Sequence, residues 1–428
     1  MATIVFEFTE DFALQLDQED PLKEFRSRFL FPKINGEEAI YFCGNSLGLQ
    51  PKSVKDYLVK ELDNWGNLAV DGHFTGEDAW MFIRQKSKPI LAEIVGAHEH
   101  EVVAMNNLTT NLHFLLVSFY QPKGKRTKII CEAGAFPSDQ YVLESQVKFH
   151  GLNPEETVIE IKPREGEHTL RTEDILKIIE ETGDELALVM MGGLQYYTGQ
   201  LFDMKSITEA AHKVGSYAGF DLAHAAGNAP LKLHDWGVDF ATWCSYKYMN
   251  SGPGNVSGIF VHERFAEDNS IPRFAGWWGH DEQKRFLMEK GFIPMYGADG
   301  WQVANSNVLA LAAHQASLDI FDEAGFVKLR QKSELLTGYL EFLIHQISGD
   351  SGVLEIITPG TASDRGCQLS LLIHKGGKAV FDTWYGQGVV GDWRNPNVIR
   401  LAPTPLYNSY LDVYRFGKIL EKSLHEFI

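Results

Sequence analysis

The feature that most constrains this chain's fold is a strict alternation between about residues 100 and 262. Five short runs, RTKIICEA, ELALVMMGGL, SYAGFDLAHA, DFATWCSYKY and VSGIFVHE, are rich in apolar and β-branched residues and read as buried strands. MKSITEAAHKVG (204–215) has the spacing of a helix between two of them, and NLTTNLHFLLVSFY (107–120) reads as a helix that opens the region. Strands that alternate with helices predict an α/β fold with a mostly parallel sheet covered by helices on both faces. After Gly300 the texture changes. Two long helical patterns, NSNVLALAAHQASLDIFDEAG and FVKLRQKSELLTGYLEFLIHQI, lead into shorter strands (GCQLSLLI, GVVGDW, NVIRLAP) and a last amphipathic helix over 409–427. The predicted division is a large domain over 60–310 and a smaller α+β domain made of 1–59 together with 311–428.

With 428 residues, 44% of them hydrophobic, the chain can fill two such cores. A net charge of -18 gives an average field that repels nucleic acid and anionic membrane. No apolar stretch approaches a membrane span, and no basic residue precedes the short apolar run near the N-terminus, so neither a membrane anchor nor a leader peptide is expected. Cys43, Cys131, Cys244 and Cys367 lie far apart without a CxxC pair, the pattern of reduced thiols in a cytoplasmic protein.

The chemistry concentrates at the ends of these strands. Asp221 in GFDLAHAAG and Lys247 in SYKY lie one strand-loop-strand unit apart, which puts both at the carboxyl ends of neighbouring strands, where open α/β sheets hold ligands. A carboxylate and an amine there suit pyridoxal phosphate. The lysine forms a Schiff base with it, and the aspartate keeps its ring nitrogen protonated. Taken singly, Asp221 reads as a turn cap and Lys247 as a surface lysine with a packed stem. Thr109 and Thr110 of LTTN open a helix, whose free amides and hydroxyls make an anion site. Phe136 in AGAFPSDQY sits on a loop beside Asp139, placed to cover a ring face. NSGPG alone marks only a turn, and no GxxxxGK[ST] is present.

The motifs AFPSD, YYTGQ, FDLAHAAGN, CSYKYMNSGPG, GWWGH, GNSLGLQP and RLAPTPLYNS, spread from about residue 40 to 410, closely resemble the kynureninases, fold-type I pyridoxal-phosphate hydrolases. The resemblance implies hydrolysis of 3-hydroxykynurenine or kynurenine to 3-hydroxyanthranilate or anthranilate plus L-alanine, within tryptophan catabolism. It implies Lys247 as the Schiff-base lysine, Asp221 as partner of the ring nitrogen with His224 beside it, and Tyr246 as a phosphate contact and proton donor. Leu108 and Thr109 hold the phosphate region, Phe136 stacks on the ring, and Asp139 is its neighbour. Trp277 and Asn305 are delivered from a second subunit, so a homodimer with a shared site is expected. Arg400 grips the substrate carboxylate, and Ser46, His73 and Asn305 lie near its aryl group. One departure stands out: Gly192 and Gly193 occupy positions near the phosphate where related enzymes often carry a serine. Rival readings are another fold-type I enzyme, such as an aminotransferase or a cysteine desulfurase, and a catalytically silent binding protein. No metal is expected: His98 and His100 of GAHEHE read as exposed loop polarity, because no third ligand follows at a useful spacing. KGKRTK reads as a solvated connection, and Met190 and Met191 as core filling.

Overall fold

Seven strands build the central sheet of the computed structural model, which describes residues 5–424 and 426 apart from 77 and 350. They are β1 (Val102–Met105), β2 (Lys128–Glu132), β3 (Val158–Ile161), β4 (Leu186–Gly192), β5 (Tyr217–Asp221), β6 (Phe240–Cys244) and β7 (Ser257–Val261). Their spatial order is β1-β7-β6-β5-β4-β2-β3. From β3 to β6 every pairing is parallel, as the alternation predicts. By contrast, β7 runs antiparallel to both of its neighbours. No helical run separates β6 from β7, only the segment 245–256, which folds as turns. Without a crossover helix the chain must return antiparallel, and the returning turn carries Lys247.

Because side chains alternate across a strand, the sheet feeds two cores. Val189, Met191, Phe220, Ala241 and Phe260 pack on one face, and Leu188, Met190, Phe240, Ile259 and Val261 on the other. Met190 and Met191 therefore fill core on opposite faces. Helix α3 (Leu108–Phe119) lies on the second face. Two strand glycines make room for aromatic neighbours across the ladder: a Cβ on Gly219 would fall inside the Phe240 ring, and one on Gly258 inside the Trp243 indole.

A second sheet, β8 (Leu354–Ile356), β9 (Leu369–Ile373), β10 (Asp392–Arg394) and β11 (Val398–Leu401), has the order β8-β9-β11-β10 and is antiparallel throughout. Its core takes Leu336, Leu340 and Leu343 from helix α5 (Phe326–Ser348) and Val413, Phe416 and Leu420 from α6 (Tyr410–Leu424). Residues 425 and 427, where the predicted last helix would run on, lie outside the described residues. The N-terminal segment joins this core through Phe6, Phe8, Phe12 and Leu16, the last two from α1 (Glu10–Glu19), and Ile40–Tyr41 pairs in parallel with Val389–Val390. GVVGDW contributes two short strands rather than one, since Val389–Val390 pairs with this N-terminal segment and Asp392–Arg394 with β11. Helix α4 (Val308–Ala324) gives Leu311, Leu318 and Phe321 to the large core, and Tyr57 of α2 (Val54–Leu68) hydrogen-bonds to Asp319 on it. Divisions at 59/60 and 310/311 thus fall inside α2 and α4; Gly325, with φ of 77°, separates α4 from α5, and the chain changes core within α5, between Leu329 in the large core and Leu336 in the small one. No helix among the described residues is long and apolar enough to cross a membrane.

Gly258→Ala should destabilise the fold by about 1–3 kcal/mol, because the added methyl forces Trp243 or the ladder to shift. Gly66→Ala, in the exposed part of α2 with nothing near its Cβ, should instead stabilise by about 0.5–1 kcal/mol. Urea unfolding of the two variants checks both signs.

Candidate active site

The carboxyl ends of four adjacent strands converge on one cavity of about 210 Å³. β2 ends in Glu132, β4 in Gly192, β5 in Asp221 and β6 in Cys244, followed by Tyr246 and Lys247 in the turn. The N-terminus of α3 also lines the cavity with Leu108 and Thr109, where Asn107 caps the helix by accepting the Thr110 N–H at 3.0 Å. Phe136 and Asp139, the latter in the first turn of the following helix, complete it. The turn bearing Lys247 is tied down on several sides. The Asn250 N–H donates to the Lys247 carbonyl at 3.0 Å, the Gly48 N–H donates to the Tyr246 carbonyl at 2.9 Å, and the Ser251 hydroxyl donates to that of Ser245 at 2.6 Å. A Cβ on Gly48 would collide with the Lys247 carbonyl, so GNSLG needs its second glycine to let the backbones meet.

Lys247 is buried, its Nζ 3.0 Å from His224 Nε2 and 5.8 Å from the Phe136 ring centre. Burial lowers its pKa, opposed by Cys244, Asp221 and Asp139 and helped by Arg400. His224 is pushed well below the usual histidine value by burial and by the charges of Lys247 and Arg400, so its ring is neutral. Three carboxyls share this wall. Asp221 is raised by burial, with Lys247, the Ala223 N–H at 2.7 Å and a hydrogen bond from Asp139 pulling it back. Asp139 is driven far up by burial and by Asp221, and is the partner that keeps the proton. Glu132 accepts the Gly192 N–H with both oxygens at 3.1 and 3.2 Å and is pushed up to about 7 by burial. The lining therefore combines the free amides of a helix N-terminus with an excess of carboxyl groups over cations.

Arg400, on β11, is fully buried beside this cavity. It donates to the Tyr196 carbonyl at 2.8 Å and the Ser46 hydroxyl at 3.2 Å, and it pairs with Asp392, which also accepts from Ser46. Burial pushes Asp392 up, but Arg400, Ser46 and Arg394 more than reverse this and hold it below the usual carboxylate range.

Two family models match, "Aminotransferase class-V" over residues 40–355 and "Kynureninase C-terminal domain" over 329–420. The chain is 56% identical to the kynureninase of Flavobacterium psychrophilum over 424 residues, 99% of this chain and 100% of that one. The chain belongs to the kynureninase family. The kynureninase of Myxococcus xanthus is 52% identical, with 99% of both chains covered. Among solved structures, one of C-DES with glycine covalently linked to its pyridoxal-phosphate cofactor matches with TM-score 0.74 and 16% identity, covering 90% of this chain and 96% of that one. An apo cysteine desulfurase from Thermococcus onnurineus matches at TM-score 0.73 and 16% identity over 100% of each. The fold is that of the fold-type I enzymes, and the kynureninase cofactor, pyridoxal phosphate, suits the cavity: its phosphate matches the helix end, its protonated pyridine the acidic wall, and its aldehyde the Lys247 amine.

Of the residues singled out in the sequence, Leu108, Thr109, Phe136, Asp139, Asp221, His224, Tyr246 and Lys247 line the cavity, and Ser46 and Arg400 form the adjoining ion-pair cluster. His73, Trp277 and Asn305 are not among its lining residues. Trp277 is 39% exposed and edges onto Phe286 at 5.7 Å, His73 packs edge-on against Trp80 at 5.1 Å, and Asn305 is exposed. The sequence reading missed Glu132, Tyr196 and Asp392. A charge closing the apolar run KIICE was a usable signal for Glu132; Asp392 had none, because its meaning depends on a partner eight residues on. His98 and His100, set aside for want of a third ligand, in fact meet His234 and Glu263 from distant parts of the chain.

Asp392→Asn leaves Arg400 buried without its counter-charge and should lower stability by about 3 kcal/mol at pH 7. Because the folded Asp392 value lies below its unfolded value of about 3.9, its contribution is complete above that pH and is lost as pH falls through the folded value. Urea unfolding at pH 7 and at pH 3 should show the gap between wild type and variant closing at the lower pH.

Proposed function

We propose that this chain hydrolyses the bond between Cβ and the aryl ketone of 3-hydroxykynurenine or kynurenine, releasing L-alanine and 3-hydroxyanthranilate or anthranilate. The observation that carries the reading is the buried Lys247 amine, set between an anion-binding helix end and a wall of carboxyl groups, in a chain 56% identical to a kynureninase. When bound, pyridoxal phosphate supplies an electron sink at the substrate Cα.

Lys247 Nζ, kept nucleophilic by burial, would hold the cofactor covalently, and it is the amine that would carry a proton to and from the substrate Cα. Asp221 holds a proton on the ring nitrogen, and Asp139 orients Asp221 through their hydrogen bond. Phe136 and His224 would confine the ring, while Leu108, Thr109 and Tyr246 would hold the phosphate. Burial raises the Tyr246 pKa, which keeps the hydroxyl protonated so that it donates to the oxygen that gains charge as the ketone is hydrated. Arg400 takes the substrate carboxylate as a bidentate fork, with Ser46 beside it. We further propose a homodimer in which Trp277 and Asn305 reach the pocket of the second copy, which their exposure allows. His73 and Asn305 then meet the aryl group and favour the ring-hydroxylated substrate. The four cysteines are unpaired, consistent with action in the cytoplasm in tryptophan catabolism. The same thiols disfavour a desulfurase: burial pushes Cys43 and Cys244 up to about 11 and Cys367 up to about 12, and raises Cys131 as well, so no thiolate is available.

The protein should form alanine from 3-hydroxykynurenine when supplied with pyridoxal phosphate, and failure with cofactor bound would overturn the assigned reaction. Borohydride reduction of the loaded protein should leave a cofactor mass on the peptide containing Lys247, and Lys247→Ala should show neither adduct nor turnover. Arg400→Ala should raise KM at least tenfold with cofactor affinity nearly intact. His73→Ala should change the ratio of kcat/KM for the two kynurenines, and an unchanged ratio would remove His73 from substrate selection.

A further inference from the structure

We propose a second, non-catalytic site: a divalent transition-metal site, of the zinc, cobalt and nickel class, formed by His98, His234 and Glu263. The three come from separate segments, just before β1, between β5 and β6, and just after β7, and their ligand atoms all lie within 4.8 Å of one another. A single buried carboxylate, Glu101, organises all of them. It accepts the backbone N–H of His98 at 2.8 Å, the backbone N–H of Glu263 at 2.7 Å and the His234 Nδ1–H at 3.0 Å. The last bond fixes the His234 tautomer. With Nδ1 donating, Nε2 keeps its lone pair for a metal, the carboxylate–histidine–metal arrangement by which outer groups orient ligands. The His98 and His234 rings are 4.1 Å apart. His100 Nε2, without a hydrogen-bond partner among the described residues, stands 3.5 Å from the Glu263 carboxylate, within reach as a fourth ligand.

Imidazole and carboxylate ligands suit borderline divalent ions, which bind at about 2.0–2.2 Å. Rotation of the exposed His98 and Glu263 side chains closes the remaining distance. The His98 ring also caps the short turn at Glu99–Glu101, a bond that ligation gives up, so the affinity should be micromolar rather than nanomolar. An occupied site would clip β1, β7 and the β5–β6 connection together at one edge of the large domain.

The test uses tag-free, cofactor-loaded protein treated with chelator and then titrated with cobalt chloride. One ion per chain should bind, with visible absorption bands of a protein-bound cobalt ion, and zinc should displace it. His234→Ala should lower the affinity at least tenfold, and Glu101→Gln, which leaves the three ligands but loosens their support, by about 10–100-fold. His234→Ala must keep the cofactor absorbance and melting behaviour of the metal-free wild type, which separates loss of the site from loss of the fold. No binding at 100 µM cobalt (about a hundredfold above the expected range), undiminished binding by His234→Ala, or an equal loss in a control variant of the remote surface pair, His374→Ala, would overturn the proposal.

Discussion

The structure depends on a conflict at one amine. Lys247 is a cationic residue type placed where water is excluded, and charging it there is unfavourable. The surroundings do not abolish that cost. Asp221 and Asp139 offset it in part, Arg400 adds to it, and the neutral His224 ring gives the nitrogen a hydrogen-bond partner that carries no charge. The result is an amine that is reactive because it is poorly solvated, in a turn braced by Asn250, Ser251 and the approaching backbone of Gly48. The topology makes this possible, since the turn exists only because β7 reverses direction after β6.

Much of this was legible in the sequence because it follows from local pattern. The central strands, α3, and both long helices after Gly300 appear where apolar periodicity put them, and Asp221 and Lys247 sit at adjacent strand ends because strand order near the middle of a parallel sheet follows chain order. What was not legible is tertiary. The paired roles of Arg400 and Asp392, the Glu132 contact with Gly192, and the meeting of His98 with His234 and Glu263 all join residues whose spacing carries no period. The place where the chain passes between cores was also obscure, since it falls inside α5, between Leu329 and Leu336, where no turn marks it.

The glycines at 192 and 193 acquire a physical meaning as well. A Cβ at Gly192 would lie 3.0 Å from Glu132 Oε1, and one at Gly193 would press into Leu222. The bare backbone lets a carboxyl group close over the end of β4, and the Gly193 N–H donates to the Asp221 carbonyl at 2.7 Å. The strand end that carries Asp221 is thus held by a main-chain bond.

The Arg400–Asp392 pair has a consequence for the exchange of small molecules. In the role proposed for Arg400, an incoming carboxylate would not meet an unengaged guanidinium; it would compete with an internal acid. What such a guest would gain is the difference between its own contact and the one Asp392 already makes. Without a guest, Asp392 pairs with Arg400, so the buried guanidinium keeps a counter-charge.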